Sequence, residues 1–282
     1  MFVFKKVSDL QLYIKKRREA GDIIGFTPTM GALHNGHISL LNISQQNADI
    51  SVCSIFVNPT QFNDKEDLKK YPRPIIADIE LLEKNNCDAL FLPSVEEVYP
   101  DDLPSLNIDF GKLDKVMEDE FREGHFAGVA QVVKRLLDIV MPDKLFMGQK
   151  DFQQFTIIQS MIDQLEISTE LVVCPIKREA SGLAMSSRNV RLSENGRQAA
   201  TLLYQTLKTA KEKMENATPE TVEKWALKTL SAPGFKPEYF TIVDGYTLQP
   251  IKRFEETDYV VACLAVWLEG VRLIDNDILK KG

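Results

Sequence analysis

The feature that most constrains the fold of this chain is an alternation. Short runs rich in apolar and β-branched residues ("DIIGFTP", "ISVCSIFVNP", "CDALFLPS", "DKLFMG", "TELVVCPI") take turns with amphipathic segments of helix length ("HISLLNISQQN", "IIADIELLEKNN", "GVAQVVKRLLDIV", "DFQQFTIIQSMIDQL"). Strand then helix, repeated, predicts a parallel sheet with crossover helices, because parallel strands cannot be joined by tight turns.

The pattern changes after Cys174. "SENGRQAATLLYQTLKTAKEKM" has the period of a helix with Ser193 as N-cap, and "TPETVEKWALKTL" sets Thr218 before Pro219 at a helix start. "EYFTIVDG" and "DYVVACLAVWLEGVRLIDN" then read as strands around a glycine turn. The expected fold class is therefore α/β. A Rossmann-like parallel sheet flanked by helices occupies residues 1–175, and a smaller α+β C-terminal domain with helices and a small antiparallel sheet follows at 176–282. A length of 282 residues suits such a pair.

Composition narrows the function. A formal net charge of −7 disfavours polyanions such as nucleic acid, so any phosphate site has to be local. Cys53, Cys87, Cys174 and Cys263 form no CxxC pair and read as buried, reduced thiols. "MFVFKKVSDL" has the wrong charge order for a signal peptide, and no apolar run approaches the roughly 18 residues of a membrane span. The expectation is a cytoplasmic chain that acts on small molecules, without nucleic acid or membrane.

In parallel sheets the ligand crevice lies beyond the carboxyl ends of the strands, which directs attention to three loops. In "TPTMGALHNGH", His34 and His37 bracket Gly36 where a strand hands over to a helix, so free N–H groups, a positive dipole end and two imidazoles meet. That suits phosphate. The same quartet also suits two surface histidines at a turn. Zinc is disfavoured: the one remaining histidine is His125, and no HExxH pattern or neighbouring Cys supplies further ligands. "GQKDFQQ" offers Lys150 as a point charge and Asp151 as an acceptor for ribose hydroxyls or a helix cap. "GLAMSSRN" offers two hydroxyls and the planar fork of Arg188.

A His-x-Gly-His near the N-terminus and a Met-Ser-Ser-Arg much later resemble the two signatures of the nucleotidyltransferase superfamily. Within it the chain resembles the pantothenate synthetase (pantoate–β-alanine ligase) family through "PTMGALHNGH", "SIFVNPTQF", "YPR", "GHFAGV", "GQKDFQQ", "GLAMSSRN" and "AVWLEGVRLIDN" in order. Gln149 departs from the pattern, where the family more often has Glu.

The resemblance implies ATP-dependent ligation of (R)-pantoate and β-alanine through pantoyl adenylate, with release of pyrophosphate and AMP. ATP is then a co-substrate with Mg²⁺, whose direct protein ligands the sequence does not identify, and the assembly is a homodimer. His37, His34, Lys150 and Arg188 are the implied catalytic residues. Ser186 and Ser187 join them on the phosphates. Met30, Gly31 and Met185 lie along the nucleotide, and Gly148 and Asp151 hold the ribose. Gln61 and Gln154 bind the pantoate hydroxyls, Asn58 serves the β-alanine side, and Arg122 reaches an anionic ligand from a lid over 118–129. Asp78 could meet hydrated Mg²⁺, but an isolated Asp on a helix is usually solvated, so it is set aside. Two other readings share the signatures: a different adenylating enzyme of the superfamily, and a non-catalytic nucleotide-binding regulator.

Overall fold

The computed structural model describes residues 1–61, 68–69, 71–100, 106–122 and 124–282. The five apolar runs become β2 (Ile24–Thr29), β3 (Ile50–Ile55), β4 (Ala89–Phe91), β5 (Lys144–Gly148) and β6 (Glu170–Cys174), and β1 (Phe2–Phe4) joins them at one edge. All pairings are parallel, in the order β1-β4-β3-β2-β5-β6. The helices of this part are α1 (Val7–Glu19), α2 (Asn35–Asn47), α3 (Ile75–Lys84), α4 (His125–Val140) and α5 (Phe152–Gln164).

The strands read as unbroken apolar runs because both faces of the sheet are covered. Phe26, Val52, Leu90, Phe91, Leu145 and Phe146 are fully buried, and each such side chain contributes about 1.5–3 kcal/mol on leaving water. Ile38 and Leu41 of α2 meet Leu82 of α3 in a cluster with Cys53, Ile55, Cys87 and Leu90 beneath them.

The direction of strand order reverses between β2 and β5, the switch point at which such sheets open a crevice. β2 pairs with β3 from Ile24 to Thr29 but with β5 only at Gly25 and Phe26. Pro28, which has no N–H to give, lies beyond that short ladder. The two strands part there, and β2 and β5 end on either side of the opening.

The second sheet is antiparallel, β7 (Phe235–Asp244), β8 (Tyr259–Leu268) and β9 (Val271–Lys281) in sequence order. Glu269 and Gly270, at φ 50° and 73°, make the tight turn between β8 and β9. Leu203, Leu207, Val222, Ala226 and Leu230 from α6 (Thr201–Lys213) and α7 (Pro219–Leu230) pack with Phe240, Val260, Ala262 and Leu264. Ser193 caps as expected, its Oγ accepting from the Gly196 N–H at 2.9 Å, and Thr218 does the same for Thr221 at 3.3 Å. The single helix expected after Ser193 is broken at Ala200, ψ −13°, where the Leu203 N–H closes a tighter turn on the Ala200 carbonyl.

The chain forms two compact units: Met1–Phe110 with Arg122–Gly148 and Ile157–Cys174, and Gly111–Phe121 with Gln149–Thr156 and Pro175–Gly282. The second unit thus takes in two short segments that precede residue 175. Buried polar contacts explain both. Arg272 grips the Glu118 carboxylate in a forked ion pair at 2.6 and 2.9 Å. Gln153 donates to the Leu113 and Val116 carbonyls at 2.7 and 2.9 Å.

Candidate active site

In the first unit the chain leaves β2 through Met30 and turns at Gly31 and Ala32, which have φ of 80° and 48°. Glycine adopts that conformation freely, but for alanine it costs roughly 1–2 kcal/mol. Asp78, in the first turn of α3, holds the turn in place. Its Oδ2 accepts from the Ala32 N–H at 2.8 Å and its Oδ1 from the Leu33 N–H at 2.7 Å. With 2% of its surface exposed, Asp78 is a buried backbone clamp, and both carboxylate oxygens are engaged by amides rather than presented to a hydrated cation.

The clamped turn delivers His34 as the N-cap of α2. The His34 Nδ1 accepts from the Gly36 N–H at 3.0 Å, and the His37 Nδ1 accepts from the His34 N–H at 3.2 Å. An imidazole nitrogen that accepts carries no proton, so this pattern assigns the ring proton to Nε2 on both residues. The ring centroids are 4.1 Å apart. Two neutral N–H donors at the positive end of a helix make a preorganised cradle for anionic oxygen.

After β3 the chain reaches Asn58 and Gln61, both buried. The Asn58 amide donates to Gln61 Oε1 and to the Gly128 carbonyl, each at 3.2 Å, and its oxygen accepts from the Tyr99 hydroxyl at 3.0 Å. Asn58 is therefore occupied at both ends inside the protein, and it fixes which way the Gln61 amide points. Gln61 Nε2 in turn donates to the Met30 sulfur at 3.1 Å. The buried His125 ring meets the Gln61 carbonyl at 2.9 Å. A cavity of about 280 Å³ adjoins the turn, with Met30, Gly31, Phe56, Arg73 and Asp78 in its wall. Met30 and Gly31 are the sequence-predicted residues among these. Gly148 ends β5 on the other side of the opening.

The second unit holds the remaining candidates except Arg122, which belongs to the first. Lys150 Nζ lies 3.7 Å from Asp151, just before α5. The two adjacent amides in "DFQQ" differ in use: Gln153 is almost fully buried and also accepts from the Glu118 N–H at 3.0 Å, whereas Gln154 forms no side-chain hydrogen bond among the described residues. Met185, Ser186, Ser187 and Arg188 follow a hairpin and enter a short 3₁₀ turn, with Ser186 Oγ accepting from the Arg188 N–H at 3.3 Å.

In the segment 118–129, expected to act as a lid, residue 123 lies outside the described residues, and hydrogen bonds hold several of the others. Glu118 is buried and takes the Tyr239 hydroxyl at 2.6 Å besides Arg272. Burial and the Glu118 charge push the Tyr239 hydroxyl well above its ordinary pKa. Arg122 accepts through its carbonyl from the His125 N–H at 3.0 Å as α4 begins.

Among the described residues no group of three or more His, Cys, Asp or Glu side chains could hold a metal. All four cysteines are free and buried, and burial pushes Cys87 and Cys174 up to about 11.

Sequence reasoning passed over the residues that make buried polar contacts with the candidate segments within each unit: Tyr99 in the first, Glu118, Arg178, Asp275 and Asn276 in the second. A signal was present in "RLIDND", where charged and amide residues interrupt a strand with the period of a buried one, because buried polar groups need partners.

Comparison with known proteins points to one family. The profile of the family described as pantoate-beta-alanine ligase matches residues 2–278. The pantothenate synthetase of Porphyromonas gingivalis strain W83 is 48% identical over 278 residues, covering 98% of both chains. That of Bacteroides thetaiotaomicron is 47% identical over 277 residues, again covering 98% of both. Among solved structures, the pantothenate synthetase of Thermus thermophilus superposes with a TM-score of 0.92 at 35% identity, covering 99% of this chain and 100% of that one. A pantoate-beta-alanine ligase from Francisella tularensis, complexed with beta-gamma ATP and beta-alanine, gives 0.81 at 34% identity, covering 100% and 99%.

Proposed function

The chain belongs to the pantoate–β-alanine ligase family and joins pantoate to β-alanine with ATP, and we propose that it does so in two steps through a pantoyl adenylate. In the first, a pantoate carboxylate oxygen attacks the α-phosphorus of ATP and the bond to the bridging oxygen of pyrophosphate breaks. In the second, the β-alanine amine attacks the acyl carbon, AMP leaves with the bonding electrons, and the amine gives up its proton.

The observation that carries this reading is the back-bonded imidazole pair at the start of α2. Charge grows on the departing pyrophosphate, and His34 and His37 meet it with Nε2–H donors that need no rearrangement as the bond breaks. His37 is the residue proposed to donate toward the leaving oxygen. Lys150, Ser186, Ser187 and Arg188 supply the remaining charge and hydrogen bonds to the phosphates. Mg²⁺ enters as part of MgATP, neutralising charge on the triphosphate.

Met30, Gly31 and Met185 line the nucleotide, and Gly148 and Asp151 hold its ribose. Gln61 and Gln154 hold the pantoate hydroxyls. Asn58 acts by orienting Gln61 toward the side where β-alanine enters, and Arg122 pairs with an anionic substrate group. A cytoplasmic homodimer that binds neither nucleic acid nor membrane completes the proposal. The net charge of −7 supports its indifference to nucleic acid, and sedimentation at micromolar concentration reports the oligomer.

The test is exchange of labelled pyrophosphate into ATP with Mg²⁺ present and β-alanine left out. Exchange that depends on pantoate supports a reversible adenylate. ATP binding without exchange refutes the reading.

A further inference from the structure

The motif "LIDN" near the end of the chain has no role in the chemistry above, yet it places two buried polar side chains side by side on β9. Asp275 and Asn276 are 3% and 2% exposed. Each is tied to a different segment of the second unit, and each segment carries residues proposed to hold ATP.

Asn276 grips the segment before α5. Its Nδ2 donates to the Gln149 carbonyl at 3.0 Å and to the Lys150 carbonyl at 2.9 Å, and its Oδ1 accepts from Gln149 Nε2 at 3.2 Å. Three hydrogen bonds from one side chain fix the backbone from which Lys150 projects. An amide is required for this, since only Asn or Gln can donate to two carbonyls while accepting from an N–H.

Asp275 grips the other segment through Arg178. The guanidinium forks onto the carboxylate at 2.6 and 3.0 Å, and it also donates to the Gly182 carbonyl at 3.2 Å and lies 4.0 Å from the Tyr204 ring centroid. Arg178 opens a hairpin closed by Glu179 N–H to Leu183 O at 2.8 Å and by Met185 N–H to Lys177 O at 3.0 Å. Gly182, at φ 93°, makes its turn, where a Cβ would lie 2.5 Å from the Tyr204 ring. The outgoing arm leads directly into Met185, Ser186, Ser187 and Arg188. The Asn276 N–H donates to Asp275 Oδ1 at 2.8 Å, which links the two grips.

We propose that Asp275 and Asn276 are positioning residues for adenylate formation, holding the Lys150 backbone and the Arg178 hairpin in one fixed register on β9. The inference rests on the assignment of Lys150 and residues 186–188 to the phosphates of ATP. A cation displaced by even 1 Å forfeits up to about a hundredfold in rate. That makes a shared anchor for both segments consequential.

The test uses the full chain with Asn276→Ala, which deletes the grip, and Asn276→Asp, which keeps its shape but turns an oxygen toward the two carbonyls. Pantoate-dependent pyrophosphate exchange is measured at varied pantoate and saturating MgATP, with thermal unfolding alongside. A positioning role gives maximal exchange lowered about tenfold or more in both variants, a pantoate KM within about threefold of wild type, and a melting midpoint that falls but stays well above the assay temperature. Maximal exchange within twofold of wild type overturns the proposal, and so does a loss fully accounted for by the unfolded fraction. If neither variant folds, the residue is structural and the proposal falls. Absence of exchange in the wild-type chain refutes the functional reading, and the inference with it, whereas normal wild-type exchange with unaffected variants refutes the inference alone.

Discussion

Replacing Asp78 by Asn changes one buried oxygen to an NH₂ and little else, so it isolates the clamp on the turn before α2. In the native chain each carboxylate oxygen accepts one backbone N–H, from Ala32 at 2.8 Å and from Leu33 at 2.7 Å. Asparagine can accept only one of them, and the other N–H then faces a second donor. The loss is one charge-assisted hydrogen bond, worth about 1.5–3 kcal/mol, and the surviving bond is weakened to that of a neutral acceptor. Stability of a domain is typically about 5–15 kcal/mol, so a loss of about 2–3 kcal/mol leaves the fold standing. At about 2–4 °C per kcal/mol the melting midpoint falls by roughly 4–12 °C. Ala32 was held at φ 48° by this clamp, and its release loosens the approach to His34 and His37. Pantoate-dependent pyrophosphate exchange, measured well below the midpoint, falls about tenfold or more. Asp78→Asn protein with a wild-type midpoint and exchange within twofold of wild type would show that the clamp is dispensable and refute the reasoning.

Three other perturbations bear on separate parts of the account. His37→Ala removes the proposed phosphate donor and one half of the capping arrangement at the start of α2. Exchange drops by about 10² or more while the fold loses only about 1 kcal/mol, as rate and urea midpoint together report. Gln154→Ala raises the KM for pantoate more than that for ATP, whereas Gln153→Ala, which frees two carbonyls and one N–H, lowers the melting midpoint; the opposite pattern would exchange their roles. The buried thiols resist an aromatic disulfide reagent at pH 8 in the native protein and react fully in guanidinium. Because Cys87 and Cys174 are held up to about 11 against an ordinary 9.0, unfolded thiols ionise first. Their contribution is intact below about pH 9 and is lost as pH climbs toward 11, which urea midpoints across that range check.

Much of the fold was legible because the sheet is covered on both faces. Runs such as "ISVCSIFVNP" cannot be anything but a buried strand once amphipathic helices flank them, and β2 to β6 appear where those runs lie. β1 was not legible: three residues carry no period, and Phe2 is 62% exposed at the sheet edge. The candidate site residues stand out by chemistry, as His34, His37, Lys150 and Arg188 are costly side chains in loops. Their supports do not. Asp78 looks like a solvated acid on a helix, and only the chain's return in three dimensions brings it under Ala32 and Leu33. Asn58 reads as a ligand contact from its place beside Gln61, but Tyr99 and Gly128, 41 and 70 residues away, occupy its amide. Long-range hydrogen bonds of this kind leave no local pattern, so the sequence points to candidate groups more readily than to the frame that holds them.

The central claim is that a pantoate oxygen bonds to the α-phosphorus, and the fate of that oxygen tests it most directly. Pantoate labelled with ¹⁸O in its carboxylate is turned over with MgATP and β-alanine, and the released nucleotide is weighed by mass spectrometry. The account predicts AMP carrying one ¹⁸O, with unlabelled pyrophosphate. Unlabelled AMP, or ADP with the label in inorganic phosphate, would contradict it.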